Sequence, residues 1–67
     1  MRSITARELC ALLEKNGLVL KRQTGSHCVY FRAKDKRITV VPMHGGDMKV
    51  GTVRAILKQS GLSPKDI

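Results

Sequence analysis

The residues of this chain best suited to chemistry lie in Gly25-Ser26-His27-Cys28-Val29-Tyr30-Phe31-Arg32, a glycine turn running into a short apolar segment. An imidazole takes or gives a proton near neutral pH. His27 has Lys21 and Arg22 before the turn and Arg32 beyond it, and cations around a proton-transfer group suit a phosphodiester. Cleaving RNA without a metal requires a deprotonated 2′-hydroxyl, charge stabilisation at the pentavalent phosphorus, and a protonated leaving oxygen. His27 could serve the first or the last step, typically worth about 10²–10⁴-fold, and Lys21, Arg22 or Arg32 the second. A lone histidine beside a turn is more often a hydrogen-bonding surface residue, so the residue types alone leave both readings open.

His44 follows Pro42 and precedes two glycines. It approaches His27 if the strands carrying them are neighbours; otherwise it caps or hydrogen-bonds within a connector. Tyr30 is the one candidate for stacking on a base, although a packed tyrosine is the commoner outcome. No metal site is expected. Cys10, Cys28, His27 and His44 match no usual ligand spacing, and adjacent His27 and Cys28 point to opposite faces of a strand. Asp35 and Asp47 lie too far apart in sequence to suggest the paired carboxylates of two-metal nucleases.

The elements that must position these residues alternate in a simple order. The segment Ser3 to Asn16 reads as a helix, with Thr5-Ala6-Arg7-Glu8 as a capping box and Ala6, Leu9, Leu12 and Leu13 on one face. Gly17 stops it. Residues 18–23 form a first strand and residues 28–33 a second. A Lys34-Asp35-Lys36 loop leads to a third over residues 37–41, ended by Pro42. In the second strand Val29 and Phe31 are assigned inward, and Tyr30 and Arg32 outward. Met43 to Asp47 is a flexible connector into a helix over residues 49–60, whose apolar stripe is Val53, Ile56 and Leu57 and whose stop is Gly61. Gly51 in its first turn suggests close backbone approach, to the sheet or to a phosphate. Ser63-Pro64 resembles a further helix start. The product is an α+β domain of order α-β-β-β-α, a three-stranded antiparallel sheet with two helices on one face.

Composition narrows the partners. The sequence has 67 residues, expected to form a single domain over 1–67, with 13 Lys+Arg against 5 Asp+Glu and a formal charge of +8. A chain this short buries only about 60% of its unfolded surface, so any site lies on an open face. The charge favours a polyanion or an acidic protein. Neither helix has the lopsided basic face of a membrane-surface helix. No run is apolar enough to span a bilayer, no signal-peptide core is present, and two cysteines are too few for a disulfide scaffold. A soluble cytoplasmic protein without a cofactor is expected.

Gly25-Ser26-His27, then Val41-Pro42-Met43-His44, then residues 49–62 (KVGTVRAILKQSGL) occur in order. Together they resemble the HicA family of toxins, from the first helix to Leu62. The resemblance implies a fold similar to double-stranded-RNA-binding domains. It implies a type II toxin of bacteria or archaea, a ribosome-independent and metal-independent endoribonuclease (mRNA interferase) that cleaves mRNA. The family's catalytic histidine falls on His27, with Gly25 and Ser26 as motif neighbours, and its second recurrent histidine on His44 in a supporting role. The implied partner is a HicB antitoxin that masks the active site. Gly45-Gly46-Asp47-Met48 departs from the family pattern, where polar and charged residues are more usual. The rival readings are a non-catalytic basic RNA-binding module and an interaction protein whose charge serves only an acidic partner. A purely electrostatic binder has no need of a histidine beside its turn.

Overall fold

The computed structural model describes residues 2–67. Helix α1 spans Ala6–Lys15, strands β1 Val19–Thr24, β2 His27–Arg32 and β3 Arg37–Pro42, and helix α2 Val50–Ser60; a 3-10 turn over Pro64–Asp66 follows. The α-β-β-β-α order, with one antiparallel sheet ordered β1-β2-β3, is the expected α+β arrangement.

Local chemistry explains the boundaries. Thr5 is the N-cap of α1, and both halves of the capping box form: the Glu8 amide donates to Thr5 Oγ1 at 3.1 Å, and the Thr5 amide to Glu8 Oε1 at 2.9 Å. The helix therefore begins after Thr5, not at Ser3 as expected, because Thr5 is extended. Gly61 closes α2 in the left-handed region at φ 77°, where only glycine is free of strain. An added Cβ there would also lie 2.8 Å from Arg37 Nε. The third helix start stops at a single turn, capped by the Ser63 amide donating to Asp66 Oδ2 at 2.8 Å.

The core sits between the helices and one face of the sheet. Leu9, Leu13, Leu18, Val41, Val53 and Leu57 are fully buried there, joined by Cys28, Tyr30 and Ile56. The molecule measures 29 × 28 × 17 Å, and its thin dimension holds one helix layer and one sheet, leaving the other sheet face uncovered.

Several further expectations are corrected. Tyr30 points inward, not outward: it is 3% exposed and packs in the core with Cys28, whereas Val29 and Phe31 lie on the sheet face away from the helices, Val29 buried there among its neighbours and Phe31 half-buried. Both faces of β2 carry apolar residues, and the helices' large aliphatic surface selects the face with room for the phenol. Gly51 makes no close approach to the sheet, since a Cβ added to it would meet no protein atom within 4 Å. The connector after β3 is pinned, not loose. Asp47 bridges Thr5 in antiparallel fashion, and the Met48 amide donates to Ile4 O at 2.9 Å.

Arg32 also turns inward. Its guanidinium donates to the Asn16 carbonyl at 2.6 Å, the Ser60 carbonyl at 3.1 Å, and both Asp35 carboxylate oxygens at 3.0 and 2.9 Å. One side chain thus joins the ends of both helices to the β2–β3 hairpin. The Asp35 carboxyl, ordinarily near 3.8, is held down to about 2, chiefly by its hydrogen bonds from Arg32, with Arg37 adding to the effect.

Two stability measurements follow from these contacts. Gly51→Ala removes a glycine from the first turn of α2, where the added methyl meets open space, and should raise unfolding free energy by up to about 1 kcal/mol in urea denaturation. A carboxylate with a depressed folded pKa stabilises the fold above its unfolded pKa and loses that contribution as pH falls toward the folded value. The urea midpoint of wild type should therefore exceed that of Asp35→Asn at neutral pH. The two should converge as pH falls from about 4 to about 2.

Candidate functional site

His27 opens β2 and is exposed. It pairs with Thr24 on β1 and Pro42 on β3, so the three side chains share one sheet face. That face also carries Val29 and Phe31, which have the same parity, and is opposite to the buried Cys28 and Tyr30. The Met43 amide donates to the Ser26 carbonyl just beyond the pair. His27 and Pro42 are therefore a non-hydrogen-bonded pair, the kind with the closer side chains, and proline's missing N–H leaves no gap in the ladder. Gly25 turns the β1–β2 hairpin at φ 57°, a conformation that glycine adopts at no steric cost. Gly25 and Ser26 thus set where His27 enters the sheet.

The cations reach the same face through an irregularity. β1 pairs Leu20 with Tyr30 but Arg22 with Val29, leaving Lys21 as an extra residue. Such a bulge breaks the strict alternation of sides. Lys21 stands over the Phe31 ring, its Nζ 5.2 Å from the centroid, and Arg22 faces Val29 on the same side. Without the bulge, one of these adjacent cations would point toward the helix layer. Arg22 is the diagonal neighbour of His27 across β1–β2, a separation of about 7–8 Å that a long side chain spans. Val19, Ile38 and Val40 continue the face as exposed apolar residues.

Beyond Pro42 lies a groove of about 440 Å³ lined by Pro42, His44, Gly46, Asp47, Met48, Lys49 and Thr52. His44 lines this groove, and Pro42, the ladder partner of His27, forms its near wall. The structure thus brings Gly25, Ser26, His27 and Arg22 to one end of the open face, with Lys21 farther along it over Phe31 and His44 around the corner. Tyr30 and Arg32 are not brought there. The Tyr30 hydroxyl donates to Glu14 Oε2 at 2.8 Å beneath the sheet, and burial pushes its phenol well above the ordinary range. Its ring is not presented for base stacking, and the Arg32 fork is occupied by the helix ends.

Sequence reasoning missed Thr24, which faces His27 directly, and the bulge. The one available signal was two adjacent cations in a strand whose other parity had to be buried. It also missed the groove residues Asp47, Lys49 and Thr52, which come together only because residues 47 and 48 pair with residues 4 and 5.

The chemistry open to these side chains is proton transfer and anion binding. Among the described residues no three His, Cys, Asp or Glu side chains converge as a metal-ligand set. Both thiols are free and buried, and burial pushes the Cys10 thiol up, away from nucleophilic character. No helix of the described residues is long and apolar enough to cross a membrane.

No individually curated protein matches the sequence. A family profile described as HicA toxin of bacterial toxin–antitoxin matches residues 6–62. That match starts with the first residue of α1 and runs through the Gly61 stop of α2. It takes in the hairpin that presents His27 and the groove beside it. With that span, the α-β-β-β-α order and the double-stranded-RNA-binding-domain-like sheet, the chain belongs to the HicA toxin family of toxin–antitoxin systems.

Proposed function

We propose that this toxin is an endoribonuclease that cleaves mRNA at the open sheet face, with His27 as general acid or base. The observation that carries the reading is an exposed imidazole sharing one uncovered face with Lys21 and Arg22 in a chain of the HicA family. In the reaction, the 2′-oxygen loses its proton and attacks the adjacent phosphorus. The bond to the 5′-oxygen breaks and that oxygen takes a proton, leaving a 2′,3′-cyclic phosphate and a 5′-hydroxyl. His27 handles one of the two protons. Arg22 donates to the non-bridging oxygens as negative charge builds there, and Lys21, farther along the face over Phe31, holds a flanking phosphate. Gly25 and Ser26 hold the hairpin end, and His44 flanks the site from the groove.

The +8 charge draws RNA to an open face that a deep-pocket enzyme would not need. It equally suits a less basic HicB-type antitoxin laid over the same surface, with charge complementarity setting orientation and association rate. Such masking would act inside the cytoplasm of the cell that makes both proteins.

Cleavage of a long mRNA in the presence of a chelator is the direct test. Wild type should cut, and His27→Ala should cut about 10²–10⁴-fold more slowly with an unchanged circular dichroism spectrum. An equally active, folded His27→Ala would remove His27 from the mechanism. RNA binding by wild type with no cutting at any concentration would support the non-catalytic binding module. Arg22→Ala should weaken RNA binding across sequences, and the slope of log K against log salt should become shallower by about 0.7 for a single strand.

A further inference from the structure

The groove beyond Pro42 differs in character from the cationic face beside it. Its rim carries Lys49 and His44, as expected next to a polyanion, but also Asp47. Among the described residues Asp47 makes no salt bridge: the ion pairs are Arg2–Glu8, Arg32–Asp35 and Arg37–Asp35. A free carboxylate repels phosphate, so its presence in a groove continuous with a phosphate-handling face calls for a different ligand group.

A nucleobase supplies that group. Carboxylates accept hydrogen bonds from base N–H groups, and single-stranded RNA presents its Watson–Crick edges for such reading. Guanine alone offers two adjacent donors, N1–H and N2–H, to match the two oxygens of one carboxylate. Adenine and cytosine offer an amino group beside an acceptor, and uracil one N–H between two carbonyls. The groove's volume of about 440 Å³ lies in the range of about 300–1,000 Å³ that takes a small-molecule-sized group. Pro42 and Met48 give it apolar surface for a base, while Lys49 and Thr52 can meet the attached sugar-phosphate. The backbone at Asp47 and Met48 is anchored to the strand-like start of the chain at Ile4 and Thr5, so the backbone that carries the reader is fixed before RNA arrives.

We infer that the groove is a nucleotide subsite adjoining the scissile phosphate and that Asp47 makes it selective for guanine. The inference rests on the ribonuclease reading for its link to cleavage, but the binding preference can be measured without it. Pro42 ties the two together, because it is both the groove wall and the neighbour of His27 across the sheet. A base seated in the groove places its own phosphate at the His27 end of the open face.

The test has two arms. In the first, cut sites on a long RNA are mapped by sequencing, with wild type beside Asp47→Asn. Wild type should favour a guanine flanking the cut by about tenfold over other bases, and the variant should lose that preference, since the amide presents one donor and one acceptor. In the second, His27→Ala protein is titrated with short single-stranded RNAs holding guanosine or inosine at one position. Inosine lacks the 2-amino group and should bind several-fold more weakly. Asp47→Asn in the same background should abolish the difference. A guanosine–inosine difference of less than twofold in the second arm overturns the subsite. A wild-type cut pattern indifferent to flanking guanine, or one unchanged in a folded Asp47→Asn, also overturns it. If wild type does not cut at all, the ribonuclease reading falls, and the binding arm decides the base preference by itself.

Discussion

The guanidinium of Arg32 is the interaction on which the arrangement depends. Helix C-termini expose carbonyls that the helix itself cannot satisfy and that carry partial negative charge. In this chain two such ends, at Asn16 and Ser60, converge on one cation presented by the last residue of β2. Asp35 grips the same guanidinium in bidentate fashion, the geometry that makes arginine and not lysine suitable for the position. Asp35 in turn engages Arg37, whose Nη1 reaches the Gln59 carbonyl at 3.4 Å. The polar cluster therefore locks both helices to the same side of the sheet at the end remote from His27. A chain with so little core gains from tying three element ends with one side chain.

That choice of side decides what the other face of the sheet presents. With both helices committed to the Cys28, Tyr30 and Val41 face, the Val29 and Phe31 face is left to solvent and partners. The bulge at Lys21 then loads this face with two successive cations, Arg22 diagonal to His27 and Lys21 over Phe31. The two ends of β2 differ: Arg32 at one end is satisfied within the fold, whereas His27 at the other is exposed. The groove forms at the His27 end because the connector after β3 turns back to pair with the start of the chain.

The order of elements was legible because each rests on local signals: the Thr5 and Glu8 capping box, the leucine spacing of α1, and the glycines at 17 and 61. The hairpin that presents His27 was legible for the same reason. The orientation of β2 was not. Val29, Tyr30 and Phe31 are all apolar, so alternation gives no parity, and the decision belongs to helices distant in sequence. Arg32 misled for a related reason: in a strongly basic chain, a cation clamped by carbonyls reads like one facing solvent. Its carbonyl partners lie 16 and 28 residues away. The bulge and the groove depend on register and on a bridge between residues 5 and 47, neither of which any local pattern encodes.

The chain contains one tyrosine and no tryptophan, and that tyrosine lies in the core with its hydroxyl bonded to a carboxylate of α1. Its near-ultraviolet absorption and emission therefore belong to a single place, the seam between the first helix and the sheet. Any event that lifts the helix changes both the polarity around the ring and its link to Glu14. The unlabelled protein thus carries its own optical probe of that seam. Because the ring lies on the face opposite His27, a ligand covering the open face would leave the probe's surroundings intact unless the layers themselves move.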